Sequence, residues 1–397
     1  MSQSEILIVG SGVIGLTAAL YLTEKYPDVK IKLVAREMPP SSNTQRPDSR
    51  ALINDNQPPN MEWTRGQWAS PWAGAIFHPT PNVAPWRQRL ETESFRLYWK
   101  WSNLDVTAGI EQRQMRAFYD STSLVNPKTG VWAKKLMPKF RWLQDNELPG
   151  RGVTHGAEYT SINVNPWVYL PWLRQKLESE FGVKFIRAEV SSLTSAVQAY
   201  KSPNVTSKDV IVVNATGLGS RSLNDVQDEN VVAVRGQTMW VKTSYAGPQA
   251  LRTGEEYTYC IPRTFSGGII LGGISQPDNT SLEADEHLKG NILERIEDLM
   301  PEVFEDVTSK QEEGVDHGSF GLGESKFLYK GKPVYVMKDI VGFRPGKTDG
   351  FRLEREGSVI HAYGFEGEGY IYSGGVARAI TDYVGDILSF KQPRSKL

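Results

Sequence analysis

The chain has 397 residues, enough for two domains, and its 39% hydrophobic and 23% charged content is that of a globular protein. A formal net charge of −1 gives no electrostatic case for nucleic acid or an anionic membrane as partner. Cys260 is the only cysteine, and the five histidines (His78, His155, His287, His317 and His361) are scattered, which excludes a disulfide within the chain and argues against a metal site.

No apolar run is long enough to span a bilayer, and the N-terminus lacks the basic region of a signal peptide. Its apolar run, Ile6-Leu7-Ile8-Val9, reads instead as a strand. Gly10-Ser11-Gly12-Val13-Ile14-Gly15 follows at once, then a helical segment over 16–22 and a second strand, Ile31 to Ala35, ending in Arg36-Glu37. Strand, glycine turn, helix, strand and an acid about twenty residues on form the dinucleotide-binding pattern. Gly10 permits the tight turn, Gly12 the approach of a pyrophosphate, and Gly15 close helix packing. Glu37 can accept from ribose hydroxyls.

From Pro39 to Pro59 the chain reads as a long polar loop. Ser70-Pro71-Trp72-Ala73-Gly74-Ala75 then places small residues beside a tryptophan, where backbone could approach a flat ligand. A helix is expected from Trp86 to Trp101, a mixed Trp-rich region from Gln114 to Trp142, and a helix ending near Phe181. Strands are expected over 182–190 and over 209–214, the second running into Ala215-Thr216-Gly217-Leu218-Gly219. Small residues at a strand's C-terminal end again suit a ligand. Three strands (237–241, 257–261 and 268–272) and a helix over 288–299 precede a polar excursion from Thr308 to Lys332. The chain returns with Val341 to Gly346, a strand over 359–362, the glycine-rich Tyr363 to Tyr370 and a helix over 376–389. It ends in Ser395-Lys396-Leu397, a peroxisomal address.

Seven segments, taken together and in order, resemble the flavin-dependent D-amino-acid oxidases, most of all those of yeasts and fungi. They are Leu7–Gly15, Ser70–Ala75, Val212–Gly219, Arg235–Thr238, Tyr259–Arg263, Gly342–Pro345 and His361–Tyr370. The resemblance implies an α/β fold: a Rossmann-like FAD-binding domain (1–85, 182–235 and 340–390), with a β-rich, α+β substrate domain inserted (86–181 and 236–339). Residues 391–397 would be a targeting tail.

It also implies FAD as cofactor and a set of site residues. Gly10, Gly12 and Gly15 would serve the pyrophosphate, with Val13 and Ile14 also binding the cofactor, Arg36 and Glu37 the adenosine, and Val190 the adenine through its backbone. Gly217 would touch the ADP moiety, Ala73, Gly74 and Ala75 the isoalloxazine, and Gly367, Gly369, Tyr370 and Ile371 the flavin's pyrimidine edge. Arg344 would hold the substrate α-carboxylate, which a bidentate guanidinium suits better than a lysine does. Tyr259 would meet the same carboxylate, and the Gly367 carbonyl would accept from the substrate amine. The implied reaction is hydride transfer from the α-carbon to flavin, giving 2-oxo acid, ammonia and hydrogen peroxide. The implied partners are a D-amino acid, dioxygen, the peroxisomal import receptor and, with no geometry carried over, a second copy in a homodimer; the implied location is the peroxisomal matrix.

The chain departs from the pattern at Ser275, where many relatives have a second active-site tyrosine, a role Tyr257 could supply. Three alternatives stay open: a D-aspartate oxidase using Arg252 or His78 as an added cation or donor, a nicotinamide-dependent dehydrogenase, and a flavin-binding protein without turnover.

Overall fold

The computed structural model describes residues 4–41, 62–64, 68–123, 125, 132–277, 279–309 and 325–391. Most of the 39–59 loop and of the 308–332 excursion, and all of Ser395-Lys396-Leu397, lie outside the described residues. The chain opens with β1 (Glu5–Val9), α1 (Val13–Lys25) and β2 (Lys30–Ala35), then α2 (Pro85–Leu104). Proline at the first helical position of α2 gives up only an N–H that would have no helical acceptor. Next come β3 (Ile110–Asp120), β4 (Arg141–Trp142), β5 (Val153–Val164), α3 (Pro166–Ser179) and β6 (Lys184–Arg187). After α4 (Leu193–Tyr200) and β7 (Val210–Asn214) comes a strand-rich run: β8 (Val231–Val241), β9 (Gln249–Thr253), β10 (Thr258–Pro262) and β11 (Ile269–Gly272). It leads into α5 (Glu286–Leu299) and α6 (Pro301–Thr308). The last elements are β12 (Ser325–Tyr329), β13 (Lys332–Lys347), β14 (Arg352–Glu356), β15 (Val359–Tyr363) and α7 (Gly369–Lys391).

These strands form two sheets. The first has the order β14-β15-β7-β1-β2-β6, parallel except for the edge strand β14. β1 lies between β2 and β7, so it is buried at every position, and after Glu5 its sequence reads as an unbroken apolar run from Ile6 to Val9. The second sheet has the order β12-β13-β8-β11-β10-β9-β3-β5-β4 and is antiparallel apart from the β3–β9 pair. The α/β expectation, a Rossmann-like unit with a β-rich unit inserted, therefore holds. One apolar cluster runs from β1 and α1 through α2, α3 and α7 to Tyr259 and Trp240, so the two sheets share a core. The tryptophans serve that core: Trp101 packs edge-on to Trp172 at 5.0 Å, and Trp167 against Trp240 at 4.7 Å.

Several elements differ from expectation for local reasons. β8 begins at Val231 and β13 spans 332–347, so both strands run across the expected divisions at 235/236 and 339/340. Gly342, Pro345 and Gly346 punctuate β13 and hide its continuity. α7 starts at Gly369 rather than near Val376, because Gly369, Gly374 and Gly375 weaken the helical signal of its first turns.

Glu91 on α2 is fully buried. Its Oε2 accepts from the Thr80 N–H at 3.0 Å, and its Oε1 has no hydrogen-bond partner among the described residues. Burial pushes its carboxyl up from 4.5 to about 7. The folded state thus binds this proton more tightly than the unfolded state, and the stability so gained is full below the unfolded value and lost as pH rises through about 7. Glu91→Gln should remove that loss. Thermal unfolding between pH 5 and 8 should show wild-type Tm falling relative to the variant by about 2 °C or more.

Candidate functional site: a cavity between the two sheets

The C-terminal ends of β1, β2 and β7 converge on the turn after β1. Gly10 has φ +113°, and a Cβ there would stand 2.3 Å from the Ala215 carbonyl oxygen. A Cβ on Gly15 would stand 2.0 Å from the Gly10 carbonyl oxygen. Only glycine allows this three-way approach, which brings the N-terminus of α1 to the mouth of the sheet. The first-turn N–H groups and the helix dipole make that end a site for negative charge. The Val13 N–H donates to Ser70 Oγ at 3.0 Å, and the Tyr370 hydroxyl donates to the Ser70 carbonyl at 2.9 Å. These two bonds tie the 70–75 segment and the start of α7 to the same turn.

A continuous cavity opens from this point. At one end it is lined by Gly10, Gly12, Val13, Ile14, Arg36, Glu37, Val190 and Gly217. Arg36 bridges Glu37 at 2.6 Å and Glu189 at 3.2 Å there. At the other end it is lined by Ala73, Gly74, Ala75, Tyr259, Arg344, Gly367, Gly369, Tyr370 and Ile371. The structure therefore brings together all the residues expected from the resemblance except one. Gly15 does not line the cavity; it packs α1 closely on the turn, as its place in the glycine pattern implies, and supports that end from behind.

Arg344 is positioned by strand pairing. β13 lies antiparallel to β8 with Gly342 opposite Gly236 and Arg344 opposite Val234. The period of two puts Ile340, Gly342 and Arg344 on one face, and all three line the cavity, together with Phe343 and Pro345 of the same strand. The guanidinium lies against Gly236, where a Cβ would stand 2.8 Å from Nη2, and Nη1 donates to the Ile274 carbonyl at 3.1 Å. No carboxylate pairs with Arg344 among the described residues. Burial raises the Tyr259 hydroxyl, and the Arg344 charge partly offsets this. Burial also raises Tyr257, whose ring packs edge-on to Tyr259 at 5.4 Å, so both phenols remain protonated donors. His78, also on the lining, is pushed down to about 4 by burial and stays neutral.

Some lining residues were not assigned from the sequence. Thr238, Leu251, Ile340 and Trp68 line the cavity, as does Tyr257, while Ser275 is not on the lining. Strand alternation carried the signal for Thr238 and Ile340, once Gly236 and Arg344 are placed on the same face. Arg252 is not on the lining. It is 5% exposed and lies in β9, on the opposite face from its neighbour Leu251. Its partners there are Glu256 at 2.7 Å and Asp120 at 3.6 Å. The expected alternative for it, an added cation for a substrate carboxylate, is corrected to a buried ion pair.

The residues present fit a dinucleotide with a flat ring system. The helix N-terminus and the Gly10–Gly12 turn offer an anion cradle, and the Thr238 hydroxyl and Trp68 indole N–H on the lining are buried with no partner among the described residues. The family model described as FAD dependent oxidoreductase matches residues 5–383. The chain belongs to the FAD-dependent oxidoreductase family. FAD is the cofactor of this oxidoreductase. A protein named D-amino-acid oxidase from Fusarium vanettenii is 30% identical, with 100% of each chain covered. One named D-aspartate oxidase from Talaromyces thermophilus is 27% identical, covering 96% of this chain and 94% of its own. Among solved structures, glycine oxidase from Geobacillus kaustophilus superposes with a TM-score of 0.59 at 15% identity, covering 100% of this chain and 97% of its own, a likeness of fold.

Gly236→Ala tests how Arg344 is seated. A flexible guanidinium can move away from a new methyl group, so the oxidoreductase should fold and keep its flavin absorbance. The apparent KM of its substrate should rise by about tenfold or more, as steady-state kinetics will read.

Proposed function

We propose that this oxidoreductase deaminates neutral D-amino acids oxidatively, taking dioxygen to hydrogen peroxide. The observation that carries the reading is the half-buried Arg344 guanidinium, unpaired with any described carboxylate, beside two neutral tyrosine hydroxyls at one end of the cavity. That arrangement suits a single α-carboxylate: the guanidinium fork takes both oxygens, and Tyr259 adds a donor. The relatives named D-amino-acid oxidase support the D configuration. Beside Arg344 the lining carries Leu251, Tyr257, Ile340, uncharged His78 and the acid Glu366, with no second cation there among the described residues for a side-chain carboxylate, which supports an uncharged side chain. Arg252, one of the two residues that could have met a second carboxylate, is turned away and neutralised, and the other, His78, carries no charge.

Within this proposal Gly10, Gly12, Val13 and Ile14 hold the pyrophosphate, Arg36, Glu37, Val190 and Gly217 the adenosine half, and 73–75 with 369–371 the ring. Bound FAD supplies a two-electron acceptor that dioxygen regenerates. Arg344 and Tyr259 fix the carboxylate, and the Gly367 carbonyl orients the amine so that its lone pair can form the imine as the α-hydrogen leaves. Tyr257 and Leu251 keep water from the reacting carbon. No side-chain base is needed. The substrate loses two electrons and two protons to dioxygen, and hydrolysis of the imine yields 2-oxo acid and ammonia.

Arg344→Ala should raise the KM for D-alanine about a hundredfold, the loss of a charge-assisted pair worth about 3 kcal/mol, with flavin retained. Arg252→Ala should lower stability by about 3 kcal/mol, since it leaves Asp120 buried without its cation, yet leave the ratio of D-alanine to D-aspartate turnover unchanged. A selective fall in D-aspartate turnover would return the dicarboxylate reading.

The Ser395-Lys396-Leu397 sequence and the peroxide product support peroxisomal import as part of the proposal. A fluorescent protein fused to the N-terminus should colocalise with catalase, and removal of residues 395–397 should disperse it.

A further inference from the structure

Arg263 follows β10, is 2% exposed and pairs with no carboxylate among the described residues. Its contacts are backbone carbonyls and an amide. Nη1 donates to the Gly74 carbonyl at 3.0 Å, the Val164 carbonyl at 3.3 Å and Asn163 Oδ1 at 3.4 Å, and Nη2 to the Ala73 carbonyl at 2.9 Å. Its guanidinium carbon lies 5.6 Å from the Trp167 ring, and its Nε has no partner among the described residues. A buried charge of this kind is costly unless something draws on it.

Ala73 and Gly74 line the cavity and Arg263 does not, so the charge sits one backbone thickness behind the wall. That wall belongs to the reacting end, because Gly74 packs against Ile261 and Tyr259. With the Ala73 and Gly74 carbonyls drawn toward Arg263, peptide planarity turns the Gly74 and Ala75 N–H groups to the other side. Neither N–H has an acceptor among the described residues.

We propose that Arg263 is a positioning and electrostatic residue of the reaction: its unpaired charge, relayed by the Ala73 and Gly74 peptides, stabilises negative charge on the ring held at that wall. The inference rests on the FAD reading. The charge favours electron uptake from substrate, because the ring gains negative charge when it takes up a hydride. Burial lowers the guanidinium only to about 10, so Arg263 stays charged at neutral pH.

The test is sulfite binding to the holoenzyme, followed through the visible flavin spectrum, because reversible addition of sulfite to the oxidised ring also leaves it negatively charged. Arg263→Met should weaken sulfite binding by about tenfold or more, and Arg263→Lys by less than about threefold. Should Arg263→Met fail to fold, Asn163→Asp places a counter-charge beside an intact guanidinium and should weaken sulfite binding in the same direction. Wild-type sulfite affinity in the Met and Asp variants, or equal losses in Met and Lys, overturns the inference with the flavin still bound. A wild-type chain without a flavin band overturns the FAD reading and this inference with it.

Discussion

The antiparallel pairing of β8 with β13 is the constraint on which the site depends. There a long strand of the β-rich sheet delivers the Arg344 side chain to the end of the cavity away from the Gly10–Gly12 turn. Because Gly342 stands opposite Gly236, Arg344 can lie flat on bare backbone instead of standing out into solvent. A register slip of one residue would carry Arg344 to the other face. In the proposed function the parallel sheet holds the cofactor's phosphates, while the β-rich sheet supplies the group that recognises the substrate. Catalysis then depends on how firmly the two sheets are tied, through a shared apolar core and through Ser70, which bonds both α1 and the start of α7.

Around this axis, buried arginines organise backbone. Arg295 donates to the carbonyls of Tyr257 at 2.7 Å and Gly273 at 3.2 Å, fixing the strand ends beside Arg344. Arg235, 1% exposed, reaches the Ser281 and Glu283 carbonyls and the side chains of Gln276 and Gln237. Arg263 does the same for the ring-side wall. A planar fork of donors can satisfy several carbonyls at once, so irregular segments with few ladder bonds are still held in place. Rigid placement matters here, since the chain contributes orientation and electrostatics while the cofactor contributes the redox chemistry.

The legible parts of the sequence were those whose meaning is local. Gly10, Gly12 and Gly15 declare themselves because the strand, turn and helix are contiguous, and β1 reads as a buried strand from its own residues. Features made by distant partners were harder to read. Arg252 sits in a polar-flanked stretch and looks like a loop arginine; what buries it is Asp120, on a strand far away in the chain. β13 carries the glycines and proline that Arg344 needs around it, and those same residues obscured the strand. Arg263 lay inside a recognised segment, yet nothing in its neighbours along the chain shows that it would meet Ala73 and Gly74. Family resemblance supplied the substrate-end residues, which periodicity alone would not have gathered into one cavity.

In the proposed function a D-amino acid is held at Arg344 and oxidised by the bound flavin. Anaerobic mixing of the purified holoenzyme with D-alanine, and separately with L-alanine, tests it most directly. Rapid loss of the visible flavin band with D-alanine alone, restored on admitting oxygen with peroxide released, is the predicted result. A band unchanged by D-alanine, or bleached equally by both enantiomers, would rule out a D-amino acid held at Arg344.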